Sequence, residues 1–175
     1  MLKKIERAQQ LLKKEAAVFR CPTCHEPMHL EGVGLICQQR HQFDLSKKGT
    51  LYFLNHSVQT EYNKKMFTSR GKMIQSGMYA PVLNKIMHYL PQNKTVVDVG
   101  CGEGSFLAEL SQAGLSGLKI GFDLSKEGIY LASNQPIDAF WCVADLTNLP
   151  FANEGLDTIL NIFSPSHYQE FRQIG

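Results

Sequence analysis

No apolar run in this chain reaches the roughly 18 residues that a membrane-spanning helix needs. The N-terminus, Met1-Leu-Lys-Lys-Ile-Glu-Arg7, is charged and has neither the apolar core nor the small-residue cleavage site of a secretory signal. These absences point to a cytoplasmic protein with no membrane partner. There is no internal repeat and no low-complexity tract, which excludes solenoid and disordered-linker architectures. Net charge is also scarce, at +2 over 175 residues, but the sum hides an asymmetry. Residues 1–90 carry 14 Lys/Arg against 6 Asp/Glu, and residues 91–175 carry 4 against 10. A basic front half beside an acidic rear half suits a polyanionic partner held by the front.

What is present begins with Val96-Val-Asp-Val-Gly-Cys-Gly-Glu-Gly-Ser-Phe106: an apolar strand, a turn with Gly100, Gly102 and Gly104, and a helix start. Glycine tolerates positive φ and lets a ligand approach the backbone. Two further units end in acids, Leu118–Asp123 and Ala139–Asp145. Strands with carboxylates at their C-terminal ends describe a nucleoside site in a doubly wound α/β sheet. The dinucleotide fingerprint wants a third Gly at the sixth position, where this chain has Ser105. Glu103 inside the loop would repel a pyrophosphate but tolerate a cationic ligand. The Gly spacing, the acids and Asp145-Leu-Thr-Asn-Leu-Pro-Phe151 resemble class I S-adenosylmethionine-dependent methyltransferases. That resemblance implies that Asp98, Gly100, Gly102 and Gly104 hold the methionine part of the cofactor. It also gives Asp123 the ribose, and Asp145 with Leu146 the adenine.

Three of the five cysteines form Cys21-Pro-Thr-Cys24, then twelve residues, then Cys37-Gln-Gln-Arg-His41. Three thiolates and one imidazole at this spacing are a tetrahedral zinc set, closed and therefore structural. His25 and His29 are rival ligands, but His25 adjoins Cys24 and would strain the knuckle. A redox Cys-x-x-Cys would need a βαβ context that is missing here. Cys101 and Cys142 are read as core or loop residues without chemistry.

Residues 1–19 have helical spacing (Leu2, Ile5, Leu12, Ala16, Phe19), and Leu51–Leu54 reads as an edge strand or docking segment. Asn55–Asn63 is the candidate linker, and helices are expected over Glu61–Gln75 and Pro81–Leu90, with a break at Gly77. The organisation expected is thus a helix and zinc-binding module over 1–54, a helical linker region over 55–90, and a partial methyltransferase domain over 91–175.

The order of motifs is itself specific: the zinc knuckle with Ile36–Asp44, then Ser69-Arg70…Ser76-Gly-Met-Tyr-Ala-Pro81, then Val97–Gly104. It resembles the 23S rRNA guanine-N1 methyltransferases with an N-terminal zinc module, including the tylosin-resistance type, from about Phe19 to Phe171. The resemblance implies zinc on Cys21, Cys24, Cys37 and His41, and methylation of guanine N1 in an rRNA hairpin. It places Asn161 and Ser164 where such enzymes present residues to the target base. Gly71 departs from the pattern, standing where many relatives have a second Arg.

The expected fold is α/β: a zinc module followed by the first half of a Rossmann-like class I sheet. Its strands at 95–99, 118–123, 138–143 and 156–162 are expected in the spatial order 3-2-1-4. Family members usually continue into further strands, so the expectation is a truncated chain with impaired catalysis and a self-associating edge at 156–162. The competing expectations are a zinc-dependent RNA-binding module with a non-catalytic cofactor half-domain, and a small-molecule methyltransferase with an incidental zinc knuckle.

Overall fold

The computed structural model describes residues 1–54 and 64–162. Helix α1 (Lys4–Glu15) runs into a 3-10 turn, Ala16–Val18, so the helical spacing seen over 1–19 is realised as a shorter α-helix with a tightened end. A three-stranded antiparallel ribbon follows: β1 (Met28–Glu31), β2 (Gly34–Cys37) and β3 (Gln42–Asp44). Strand β4 (Leu51–Tyr52) then leaves the ribbon. Helices α2 (Lys64–Gln75) and α3 (Ala80–Tyr89) are separated at Gly77, whose φ of +91° ends the first. The remainder alternates: β5 (Val96–Val99), α4 (Ser105–Gln112), β6 (Lys119–Asp123), α5 (Lys126–Ala132), β7 (Phe140–Val143) and β8 (Thr158–Leu160).

The second sheet is wholly parallel, in the order β4-β7-β6-β5-β8. Its last four strands are the 3-2-1-4 order read from the sequence. The addition is β4, which the zinc module contributes as a short edge strand: Leu51 pairs Cys142, and Tyr52 pairs Val143.

Side chains alternate across a strand, so a sheet covered on both faces needs two apolar sets. On one face Val97, Val99, Ile120, Phe122, Phe140 and Cys142 share a core with Leu12, Phe19, Leu35 and Phe53 of the N-terminal segment. Phe19 is the centre of this packing, with ring centroids 5.9 Å from Phe53, 5.2 Å from Phe140 and 5.8 Å from Phe151. On the other face Val96, Trp141, Val143 and Leu160 pack against Phe106, Leu107 and Leu110 of α4, Ile129 of α5, and Ile74 and Leu83 from α2 and α3. The zinc module therefore takes the place of a helical layer on one side of the sheet. Fully burying each of these large apolar side chains stabilises the fold by about 1.5–3 kcal/mol.

Backbone pairing locks the two halves together. Arg20 donates its amide to Pro150 O at 3.0 Å, Ala152 donates to Val18 O at 2.7 Å, and Phe19 bridges Phe151. The Arg20 guanidinium, nearly buried, donates to Leu149 O at 3.2 Å. Asn148 donates its side-chain amide to Pro22 O at 2.9 Å. The segment after β7 is thus clamped to the knuckle that carries Cys21 and Cys24.

Candidate cofactor cleft and metal centre

The loop between β5 and α4 is built on backbone only glycine adopts readily. Gly100, Gly102 and Gly104 have φ of +70°, +57° and +88°. Trp141, in β7, shapes the floor. A Cβ on Gly121 would lie 2.5 Å from its ring, and one on Gly104 would lie 2.8 Å from it. The indole therefore fills the layer between β6 and the loop. No local periodicity could announce this, because the contact joins two strands through their register, Gly121 opposite Trp141.

Asp98 sits toward the end of β5 with 1% of its surface exposed, and neither carboxylate oxygen has a hydrogen-bond partner among the described residues. Burial pushes its pKa up to about 7, the Arg70 guanidinium pulls it partly back, and Asp123 adds to the rise. A buried carboxylate without a donor is costly unless a ligand supplies one. The α-ammonium of S-adenosylmethionine is a donor of the right charge, so Asp98 fits the cofactor.

Asp123, at the end of β6, accepts from Gly102 N and Ser125 N, both at 2.9 Å. A carboxylate has about four lone-pair sites, so about two remain to accept from a ligand. The same contacts tie the loop to the N-terminus of α5, where the Ser125 hydroxyl accepts from Gly128 N at 3.2 Å. Asp145 stands just beyond β7. One of its oxygens accepts from Thr147 N at 2.9 Å and Thr147 Oγ1 at 2.7 Å, and Leu146 packs half-buried on the core. Asn161 follows β8 directly, while Ser164 lies outside the described residues, as does the linker expected over 55–63.

Glu103 is arranged differently from its sequence reading. It is nearly buried and turned back onto the fold, accepting from Ser105 N (3.0 Å), Ser105 Oγ (2.7 Å) and Gln135 Nε2 (3.1 Å). It braces the start of α4 rather than facing a ligand. Gly71 makes room for it, since a Cβ there would come 2.7 Å from the Glu103 carboxylate. Arg70, one residue earlier, reaches the loop at Gly102 and stacks over Phe67, 5.8 Å from its centroid.

At the other centre, Cys21, Cys24, Cys37 and His41 offer ligand atoms that all lie within 4.8 Å of one another. Cys24 Sγ is 3.6 Å from Cys37 Sγ, and His41 Nδ1 is 3.5 Å from Cys21 Sγ and 3.4 Å from Cys37 Sγ. A zinc ion with Zn–S near 2.3 Å places tetrahedral sulfurs about 3.7 Å apart, so the quartet fits the ion. Two tight turns build it. His25, at φ +63°, closes the first, and Arg40, at φ +67°, closes the second. The rival ligands point elsewhere: His25 Nε2 lies 3.2 Å from Asn148 Oδ1, and His29 faces Glu31 at 3.5 Å. At Cys37 burial opposes ionisation, but the His41 amide, the Cys24 thiol and the Gln39 amide bring its pKa down to about 7. At Cys24 the Glu26 amide favours the thiolate, but burial and the Cys37 and Cys21 sulfurs push the thiol up to about 11. Burial alone raises Cys142, and burial with Asp123 and Asp98 raises Cys101, so neither is a nucleophile at neutral pH.

A parallel sheet in this order, with a three-glycine loop and an acid on the next strand, defines a class I methyltransferase fold. The Methyltransferase domain family matches residues 96–174, and the RlmA N-terminal zinc-ribbon family matches residues 19–56. A Bacillus subtilis protein described as "Putative 23S rRNA (guanine-N(1)-)-methyltransferase YxjB" is 39% identical over 170 residues, covering 90% of this chain and 60% of that protein. The 23S rRNA (guanine(748)-N(1))-methyltransferase of Streptomyces fradiae is 26% identical over 170 residues, covering 93% and 61%. Among solved structures, a SAM-dependent methyltransferase from Aquifex aeolicus aligns with TM-score 0.54 at 18% identity, covering 65% of this chain and 68% of that one, which shows the fold. The chain thus joins a segment similar to the RlmA zinc ribbon to one similar to the methyltransferase domain, in a class I methyltransferase fold. It spans about 60% of the length of the curated relatives it matches.

Proposed function

We propose that the protein methylates N1 of a guanine in a 23S rRNA hairpin, in the cytoplasm where that RNA is found. The observation that carries this reading is the buried, unpartnered Asp98 carboxylate beside the three-glycine loop, in a chain whose other half presents a zinc quartet. When bound, S-adenosylmethionine supplies an electrophilic methyl on a sulfonium. Asp98 and the backbone of Gly100, Gly102 and Gly104 hold its methionine end, Asp123 its ribose, and Asp145 with Leu146 its adenine. Asn161 and Ser164 hold the guanine edge. Guanine N1 carries a proton at neutral pH, so methylation there would require that the proton pass to a basic group or to water while the sulfonium leaves as a neutral thioether. The target base also has to leave its stack, at about a few kcal/mol, to reach the cleft.

Cys21, Cys24, Cys37 and His41 hold zinc as a structural ion. In this reading residues 1–54 form the RNA-contacting module, 55–90 the connection, and 91–175 the cofactor domain. Strand β8 pairs with β5 alone among the described strands, and its outer edge is a surface for self-association.

The test is transfer of labelled methyl from S-adenosylmethionine to unmodified 23S rRNA by the zinc-loaded protein, with the product base identified by mass. N1-methylguanine supports the reading. Cofactor binding by calorimetry without transfer, on a folded zinc-loaded chain, overturns it in favour of a non-catalytic RNA-binding protein.

A further inference from the structure

The outer edge of the parallel sheet carries a charged, aromatic surface that neither the cofactor cleft nor the metal centre uses. Lys47 and Lys48 precede β4, while Lys126 and Tyr130 lie four residues apart on α5 and so share a face. Lys48 Nζ stands 5.4 Å from the centroid of the Tyr130 ring, and Lys126 Nζ stands 5.8 Å from that of Tyr52. Between them opens a cavity of about 740 Å³ floored by Leu45, Leu51, Ile129 and Val143. Its acidic lining residue is Asp44, whose carboxylate already accepts from the Gln42 side chain at 2.7 Å.

Lys48 also lines a second cavity, of about 320 Å³, together with Lys4 and Arg7 of α1. Burial lowers the Lys4 pKa, and the neighbouring Lys48 lowers it further, so the two ammonium groups feel one another. Like charges held together repel, and an anionic phosphate between them would relieve that repulsion. The surface also adjoins the cofactor cleft. Tyr52, Val143 and Asp123 form one row across three strands, two strand spacings or about 10 Å in all.

We propose that this edge binds an unpaired stretch of the RNA substrate, with bases stacking on Tyr52 and Tyr130 and phosphates on Lys48, Lys126 and Lys4. The inference rests on the RNA-methyltransferase reading and adds the path by which the strand reaches the cleft. Charge complementarity selects a polyanion, and the rings select one that carries bases. A free phosphate uses no aromatic platform, whereas every base has a face to stack on one. A base stacked on either tyrosine displaces the ammonium now over that ring, and the released lysine is then placed for the adjoining phosphate.

The test is fluorescence anisotropy of a labelled, unstructured oligoribonucleotide of about ten nucleotides, a length within single-strand site sizes. It is titrated with the zinc-loaded chain across a salt series. The variants are Tyr130→Ala and the pair Lys48→Ala/Lys126→Ala, with Lys85→Ala as a comparison on exposed α3 and a thermal melt to verify folding. Tyr130 is 56% exposed, so its truncation spares the core. The expected result is an affinity loss on the order of tenfold for Tyr130→Ala. The lysine pair should make the slope of log K against log salt less steep by about 1.4, from two phosphates at about 0.7 each. Lys85→Ala should change neither.

Unchanged affinity and slope in the lysine pair overturn the proposal. So does an abasic strand that binds as tightly as the base-bearing one, and so does polyglutamate that loses affinity in parallel with RNA, which would mark an acidic-protein surface. A wild-type chain that fails to bind RNA overturns it as well. The methyl-transfer assay, read on the product base, decides the underlying reading independently of all four.

Discussion

Asp98 concentrates the conflict between folding and function in one residue. Its folded pKa of about 7 stands above the unfolded value of 3.8, so between these the folded state holds the extra proton. Stability contributed by this group is therefore greatest near pH 4 and falls as pH rises to neutrality. Asp98→Asn removes the buried charge. In urea titrations the variant should match the wild type near pH 4 and exceed it by a few kcal/mol, to order of magnitude, at about pH 8. Calorimetry should show weaker S-adenosylmethionine binding at both. A variant no more stable than wild type at alkaline pH would mean that the carboxylate is paired in solution. Gly121 tests the opposite kind of site, where space alone matters. Gly121→Ala drives a methyl to 2.5 Å from the Trp141 ring, and overpacking of this sort costs about 1–3 kcal/mol. A thermal melt that stays at the wild-type midpoint would show that the indole can move.

At the scale of elements, the zinc knuckle and the segment after β7 act as one unit. The backbone bonds from Val18 and Arg20 to Pro150 and Ala152, with Asn148 on Pro22, fix Asp145 and Leu146 relative to Cys21 and Cys24. Chelation of zinc, or Cys37→Ser, should therefore do more than loosen the ribbon. Cofactor affinity should fall alongside the melting temperature, measured by calorimetry and circular dichroism on the same sample. Loss of zinc with undiminished cofactor binding would show the two centres to be independent. Acidification should release the metal too, because every bound cysteine must be a thiolate. Phe19 is the apolar counterpart of this coupling. Phe19→Ala removes a ring packed against Phe53, Phe140 and Phe151, and should cost about 3–5 kcal/mol in urea unfolding.

On the scale of the whole molecule, the uneven charge noted along the sequence is in part a spatial division. Residues 1–54 supply one covering layer of the sheet and its outer strand, α2 and α3 pack on the other face, and Asp98, Asp123 and Asp145 stand toward the C-terminal ends of three neighbouring strands. In the RNA-binding mode proposed above, the strand meets Lys48 and Lys126 at the sheet edge before the carboxylates of Asp123 and Asp98. Association with RNA should weaken steeply with salt, whereas binding of the small cofactor should change little across the same series. Equal salt dependence for both ligands would deny that division of labour.

Much of this was legible in the amino-acid order, because the information is local. The Gly100/Gly102/Gly104 spacing specifies a positive-φ turn, an apolar run ending in an acid specifies a strand with its carboxylate at one end, and Cys-x2-Cys with Cys-x3-His specifies two knuckles. The strand order 3-2-1-4 came from the class I methyltransferase resemblance that those motifs carry, and β7-β6-β5-β8 realise it. What only the tertiary structure decided depends on contacts distant in sequence. Glu103 reads as a ligand-facing acid until Ser105 and Gln135 are seen to hold it, and Trp141 reads as strand until Gly121 makes room beneath it. Leu51–Leu54 was legible as an edge strand or docking segment, but its place beside β7, and that of the zinc module as a face of the sheet, belong to the same class. A two-residue strand carries almost no periodicity of its own, and its place is set by the register of β7 and by the apolar face that Phe19 and Phe53 complete.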